Sequence, residues 1–173
     1  MTPKTLLIVE DDVLDQELIG RKLVNLHAQL SMVDNLDAAY KFIRTELPEV
    51  IILDIGVPFR QGGPVASIDQ VLEFVRYHAD RVGVVMLTGD SSKTDIDQFY
   101  AAGAIDYIGK EKIIEGGEFV FRVQLAHKLR QDMLDKKEGA ALALQIAILR
   151  SNQDKMIGKY PLTTRSFCHS VFA

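Results

Sequence analysis

Four short apolar runs recur along the chain: TLLIV (5–9), VIIL (50–53), VGVVML (82–87) and AIDYI (104–108). They are rich in Val, Ile and Leu, and none alternates strictly with polar residues. That pattern belongs to parallel strands covered on both faces. A weaker run, AQLSMVD (28–34), is a further candidate strand. Helical patterns fill the gaps. Residues 13–26 carry Val13, Leu14, Leu18, Ile19, Leu23 and Leu26 as one stripe. Residues 36–46 follow Asp34 and Asn35 as caps and stop at Pro48. Residues 67–78 place Ile68, Val71, Leu72 and Val75 at helical spacing, and 92–102 run from a polar GDSS to Gly103, a C-terminal stop.

Regular alternation of strand and helix predicts an α/β fold, a parallel sheet wrapped by helices. Five strands suit the flavodoxin-like, doubly wound order 2-1-3-4-5, in which ligands bind at the carboxyl ends of the strands where the first meets the third. The C-terminal third differs. Residues 118–157 contain no Pro and one Gly, and predict an extended helix far beyond the usual ~11 residues. Its early residues Phe119, Val123 and Ala126 are expected on the sheet. Leu142, Ile146, Leu149 and Met156 follow an i, i+4, i+7, i+14 series, the spacing of a coiled-coil seam, so this is a candidate dimerisation helix. DKKEG (135–139) interrupts the phase, and a break is expected near Gly139.

Composition narrows the class. Of 173 residues, 47% are hydrophobic, enough for a packed core, and 25% are charged, which favours solubility. A net charge of −4 argues against nucleic-acid binding by this segment. The single cysteine, Cys168, permits no internal disulfide, as expected in a reducing cytoplasm. No apolar run reaches the ~18 residues of a membrane span, and the acids that follow LLIV exclude a signal peptide. A cytoplasmic protein is expected.

The strand ends carry the chemistry. The first ends in Glu10, Asp11 and Asp12; the third ends at Asp54. In the predicted order these ends are neighbours about 5 Å apart. Two carboxylates that close repel by roughly 4 kcal/mol at an effective dielectric near 20. Either one takes a proton or a hard divalent cation such as Mg²⁺ sits between them. The fourth strand brings Thr88 to the same edge and the fifth brings Lys110, while Gly56 and Gly89 leave room for a ligand. A carboxylate nucleophile, a metal, a hydroxyl and an ammonium together make a phosphoryl site.

LLIVEDD, VIILDIGVP, VVMLTGD and AGAIDYIGK, in that order, resemble the receiver domain of bacterial two-component response regulators over residues 4 to about 125. The resemblance implies that Asp54 is the phosphoacceptor. It implies that Asp11, Asp54 and the backbone carbonyl of Gly56 bind Mg²⁺, with Glu10 acting nearby or through water. Thr88 and Lys110 would hold the phosphoryl group, and Tyr107 would fall on the aromatic switch position that moves with Thr88. The donor would be a phosphohistidine on a sensor histidine kinase or phosphotransfer protein. Phosphorylation would draw Thr88 toward Asp54 and re-pack the face of the fourth helix, fifth strand and fifth helix.

Three departures stand out. Glu111 follows the lysine where the family usually has a cis-bonded Pro. Residues 57–69, VPFRQGGPVASID, are longer than usual and are read as a lid or partner-reading loop beside Asp54. Asp90 stands two residues beyond Thr88, where an acid would affect hydrolysis of the phosphoryl group. Near the C-terminus, Ile157, Gly158 and Pro161 resemble the start of the ATPase module of nitrogen-regulator-type sigma-54 enhancer-binding activators, with Phe167 and Val171 following. No G-x-x-x-x-G-K-[ST] loop is present, so no ATPase is expected here. The expected division is 1–125 receiver, 126–156 helical linker forming a homodimer, and 157–173 a tail that opens a following domain.

Other motifs have plainer readings. Asp12 is expected to cap the first helix rather than join the site. His27, His78, His127 and His169 have no ligand spacing, and Gly62-Gly63 is a turn. Two alternatives to a phosphoryl relay controlling transcription are a stand-alone receiver acting through protein contacts and an Asp-nucleophile phosphatase. Phosphatases resembling the haloacid dehalogenases need a second Asp two residues after the nucleophile, where this chain has Gly56. A regulatory phosphoacceptor, not a turnover enzyme, is therefore expected.

Overall fold

The structure, a computed structural model, describes residues 4–89, 93–115 and 117–157. Five strands, β1 (Lys4–Val9), β2 (Ala28–Val33), β3 (Val50–Asp54), β4 (Gly83–Thr88) and β5 (Asp106–Gly109), form one sheet in the order β2-β1-β3-β4-β5. Every pairing is parallel. This is the predicted doubly wound, flavodoxin-like order.

The helices divide between the two faces as the strand pleat dictates. On one face Leu7, Val9, Ile51, Leu53, Val84 and Met86 meet α2 (Leu36–Thr45), α3 (Ile68–His78) and α4 (Lys93–Ala102). On the other Leu6, Ile8, Val50, Ile52, Val85 and Leu87 meet α1 (Val13–Leu23), the short α5 (Glu111–Glu115) and the start of α6 (Gly117–Ile157). Every residue of β3 and β4 is buried, which is why neither run alternates. Phe119, Val123 and Ala126 are all buried in the second core, as expected. Gly103 ends α4 at φ +105°, and a Cβ there would lie 2.6 Å from Ala79 Cβ.

One expectation is corrected and one element was not foreseen. The helix does not break near Gly139: α6 runs unbroken for 41 residues. One Gly in a helix costs about 1 kcal/mol relative to Ala, and its neighbours Lys136, Lys137, Glu138, Ala140 and Ala141 are good helix formers. And Glu111, where a proline was usual, opens α5, a helix absent from the sequence reading; no cis peptide occurs among the described residues. Asp12 caps α1 as expected, its Oδ1 accepting from the Leu14 and Asp15 amides at 2.8 and 3.1 Å.

The long 57–69 segment is fastened to α2. The Leu36 and Asp37 amides, two of the unpaired donors at that helix's start, donate to the carbonyls of Pro58 and Phe59 at 3.1 and 2.9 Å. Pro58 pairs antiparallel with Val65, and Gly62 turns between them at φ +69°. Asp90 and the Gly158–Pro161 motif lie outside the described residues.

By its contacts the chain forms two compact units, residues 1–132 and 133–173. In the second, Leu142 and Ile146 of the expected seam are exposed, and Leu149 and Met156 lie further along the same helix. No helix among the described residues is long and apolar enough to cross a membrane.

His78 is one histidine with a structural consequence. It is 4% exposed, ringed by Phe74, Tyr77 and Tyr40, and its Nε2 has no hydrogen-bond partner among the described residues. Burial, helped by the Arg81 charge, lowers its pKa from 6.5 to about 4. The unfolded chain binds the proton first, so this stability is fully present above pH 6.5 and is lost as pH falls toward 4. Urea unfolding is expected to show His78→Phe gaining about 2 kcal/mol on wild type between pH 7 and pH 5. Glu10 and Asp54 titrate alike in both chains. A gap that does not move with pH would show that His78 accepts its proton in the folded state.

Candidate functional site

The carboxyl ends of β1 and β3 lie side by side, with Val9 paired to Leu53, so the next residues, Glu10 and Asp54, meet at the switch point. Carboxylate oxygens of Glu10, Asp11 and Asp54 lie within 4.8 Å of one another. Glu10 is fully buried and Asp54 is 5% exposed, while Asp11 faces solvent. Glu10 is held from two directions: its Oε1 accepts from the Asp12 amide at 3.1 Å, and its backbone carbonyl accepts from Gln16 Nε2. Gly56 is exposed beside the acid, and a Cβ there would lie 2.9 Å from Asp54 Oδ2. A side chain there would crowd that carboxylate oxygen.

Lys110 closes the site from β5. Its Nζ lies 2.8 Å from Glu10 Oε2 and 3.4 Å from Asp54 Oδ2. Its backbone amide donates to the Thr88 carbonyl at 2.8 Å, locking the end of β5 to the end of β4. Thr88 is 6% exposed at that edge. Tyr107 lies on β5 opposite Met86, its ring stacked 6.4 Å from that of Phe99, and its buried hydroxyl has no hydrogen-bond partner among the described residues. Glu10, Asp11, Asp54, Gly56, Thr88 and Lys110 thus gather at one edge, while Tyr107 sits three residues before Lys110, against the α4 side of the core.

The electrostatics show a site short of positive charge. Burial, with the Asp54 charge added, pushes the Glu10 carboxyl up to about 7 although Lys110 pulls it down. Asp54 is also raised, by burial first and by Asp11 in addition, against the pull of Lys110 and the Gly56 amide. Burial disfavours the charge on Lys110, but the bond to Asp15 and the nearby charges of Asp54 and Glu10 outweigh it and raise its pKa. One ammonium does not neutralise this set of acids. Glu10 Oε2 is buried and makes no aligned hydrogen bond. Three carboxylate oxygens within 4.8 Å of one another, faced by one ammonium, fit a divalent cation of the Mg²⁺ type.

The sequence reading missed two residues here. Asp15, on the first turn of α1, accepts from Lys110 Nζ at 2.8 Å. Its only sequence signal was helical: it stands four residues after Asp11, on the turn that faces the site. Arg122 of α6 binds both oxygens of Asp106 and donates to the Tyr107 carbonyl at 2.8 Å, tying that helix to the strand that carries Tyr107. Nothing local in the sequence pairs residues 16 apart across two elements.

Residues 6–116 match the family model of the response regulator receiver domain. The chain is 29% identical over 105 residues to the transcriptional regulatory protein KdpE of Staphylococcus aureus, covering 61% of this chain and 42% of that protein. It is 30% identical over 149 residues to the transcriptional regulatory protein DltR of Streptococcus agalactiae, covering 86% of this chain and 60% of that one. It thus spans about half the length of these curated relatives. A signal receiver domain from Vibrio parahaemolyticus has the same fold, with a TM-score of 0.65 at 22% identity, over 75% of this chain and 93% of that chain.

Proposed function

Because the chain belongs to the response regulator receiver domain family of two-component systems, we propose that Asp54 takes a phosphoryl group from a phosphohistidine on a histidine kinase or phosphotransfer protein. The observation that carries this is the meeting of three carboxylates within 4.8 Å at the β1/β3 switch point, with the Lys110 ammonium 3.4 Å from Asp54. An Asp54 oxygen forms the new P–O bond, the donor's bond to phosphorus breaks, and the donor leaves with the electron pair. Thr88 and Lys110 hold the phosphoryl oxygens. Asp11, Asp54 and the Gly56 carbonyl, with Glu10 directly or through water, would hold Mg²⁺. When bound, the ion supplies positive charge against the attacking and transferred oxygens.

Tyr107 is assigned to the switch. Its buried hydroxyl lacks a partner among the described residues, an unfavourable state that a shift of Thr88 toward Asp54 would relieve. Arg122 then carries the movement of β5 into α6. The output is a cytoplasmic homodimer formed through the later part of α6, with a transcriptional role like that in the relatives' names. Asp54 serves as a regulatory acceptor rather than a turnover nucleophile.

The reading is tested by incubating the chain with Mg²⁺ and acetyl phosphate. One phosphoryl group is expected by intact mass, and none would overturn it. A chain ending at Asp132, the limit of the first compact unit, is expected to accept the same group. It is also expected to run as a monomer in light scattering where the full chain forms dimers. Dimers of the shortened chain would move the interface off α6.

A further inference from the structure

The hold on Lys110 is more than the phosphoacceptor reading requires. Its Nζ lies 2.8 Å from both Glu10 Oε2 and Asp15 Oδ2, and 3.4 Å from Asp54 Oδ2. An ammonium has three N–H donors, and three carboxylates surround this one. The contact with Asp15 is an aligned hydrogen bond, whereas Glu10 Oε2, at the same separation, makes none. Asp15 therefore aims the ammonium, and it aims it toward α1. The backbone of Asp15 is anchored as well, its amide donating to the Asp12 cap at 3.1 Å. Asp15 stands outside the trio of oxygens close enough to share a cation.

A phosphoryl group on Asp54 brings three further acceptor oxygens to this ammonium. Resting on the assignment of Asp54 as phosphoacceptor, we propose that Asp15 is a positioning residue that competes with the phosphoryl group for Lys110 and so holds back entry into the phosphorylated state. Its carboxylate touches no reacting atom. It acts by keeping the ammonium 3.4 Å from Asp54, beyond the ~2.8 Å of a charge-assisted bond. Asp15 also lies in the first turn of α1, where an acid favours the helix dipole. That structural role alone would leave phosphoryl affinity unchanged.

The test titrates the full chain with beryllofluoride in excess Mg²⁺, followed by calorimetry. Asp15→Asn is expected to bind about fivefold more tightly, the scale of a partly exposed ion pair, and Asp15→Glu, which keeps the charge and the acceptor, to return toward wild type. Asp12→Asn serves as the charge control. It removes an equal charge from the same turn, keeps a capping side chain and does not reach Lys110, so no gain is expected. Equal affinity of wild type and Asp15→Asn would overturn the proposal. So would the same gain in Asp12→Asn, which would assign the effect to net charge. A wild-type chain that binds no beryllofluoride overturns the phosphoacceptor assignment itself, whereas wild-type binding with no response to Asp15→Asn overturns only the role of Asp15.

Discussion

Asp54→Asn is expected to take up no phosphoryl group from acetyl phosphate under conditions in which the wild-type chain takes up one. The amide is no nucleophile at phosphorus, and no other carboxylate has the same setting. Glu10 is fully buried with one oxygen on the Asp12 amide and the other facing Lys110. Asp11 faces solvent, and Asp15 is held by Lys110. Only Asp54 combines an open approach over Gly56 with an ammonium placed to receive the transferred oxygens. Chelating Mg²⁺ is expected to silence the wild type in the same way. Misfolding is separable from lost chemistry, because burial and Asp11 raise the pKa of Asp54. A carboxyl whose folded pKa is raised loses its stabilising contribution as pH climbs through the shifted value. At neutral pH the ionised Asp54 is therefore a burden on the fold. Asp54→Asn is expected to unfold at the wild-type urea midpoint or above it. A variant of unchanged stability that still gains a phosphoryl group at the wild-type level would place the nucleophile elsewhere.

The sheet and the main site were legible because both follow from rules that act locally. A parallel strand buried on two faces needs a continuous apolar run, and β3 and β4 show one each. The same rule makes the end of each run a place where polar residues reappear, so Asp54, Thr88 and Lys110 announced themselves. Three features followed other rules. Whether Gly139 interrupts α6 depends on a balance of about 1 kcal/mol against good neighbouring helix formers, and phase alone does not decide that. The 57–69 segment reads as a lid or partner-reading loop, and two backbone carbonyls in it complete the start of α2, an arrangement carried by no side chain. Asp15 meets Lys110 across 95 residues of chain. Its role depends on which way one turn of α1 faces once folded.

Phe119→Ala is expected to cost about 3–5 kcal/mol of stability, the range for truncating a buried aromatic. Phe119 is fully buried in the core cluster that also holds Ile19, Leu23, Val50, Ile52 and Ile113, drawn from α1, β3, α5 and the first turn of α6. Those partners are close-packed strands and helices that have little freedom to collapse into the void. Thermal unfolding is expected to fall by about 10 °C or more. Leu142→Ala, on the same helix, is the matched comparison: Leu142 is 58% exposed and belongs to the second compact unit. At concentrations too low for association, its melting point is expected to stay within about 1–2 °C of wild type. The contrast separates two roles within one helix. Residues near Phe119 belong to the core beneath the sheet that carries Asp54, whereas residues near Leu142 are exposed. A large loss from Leu142→Ala in the monomer would mean that the exposed apolar stripe already stabilises the single chain, which would leave α6 with no free surface for dimerisation. A small loss from Phe119→Ala would mean that the first turns of α6 are not part of that core, and the path from Tyr107 through Arg122 into the helix would lose its anchor.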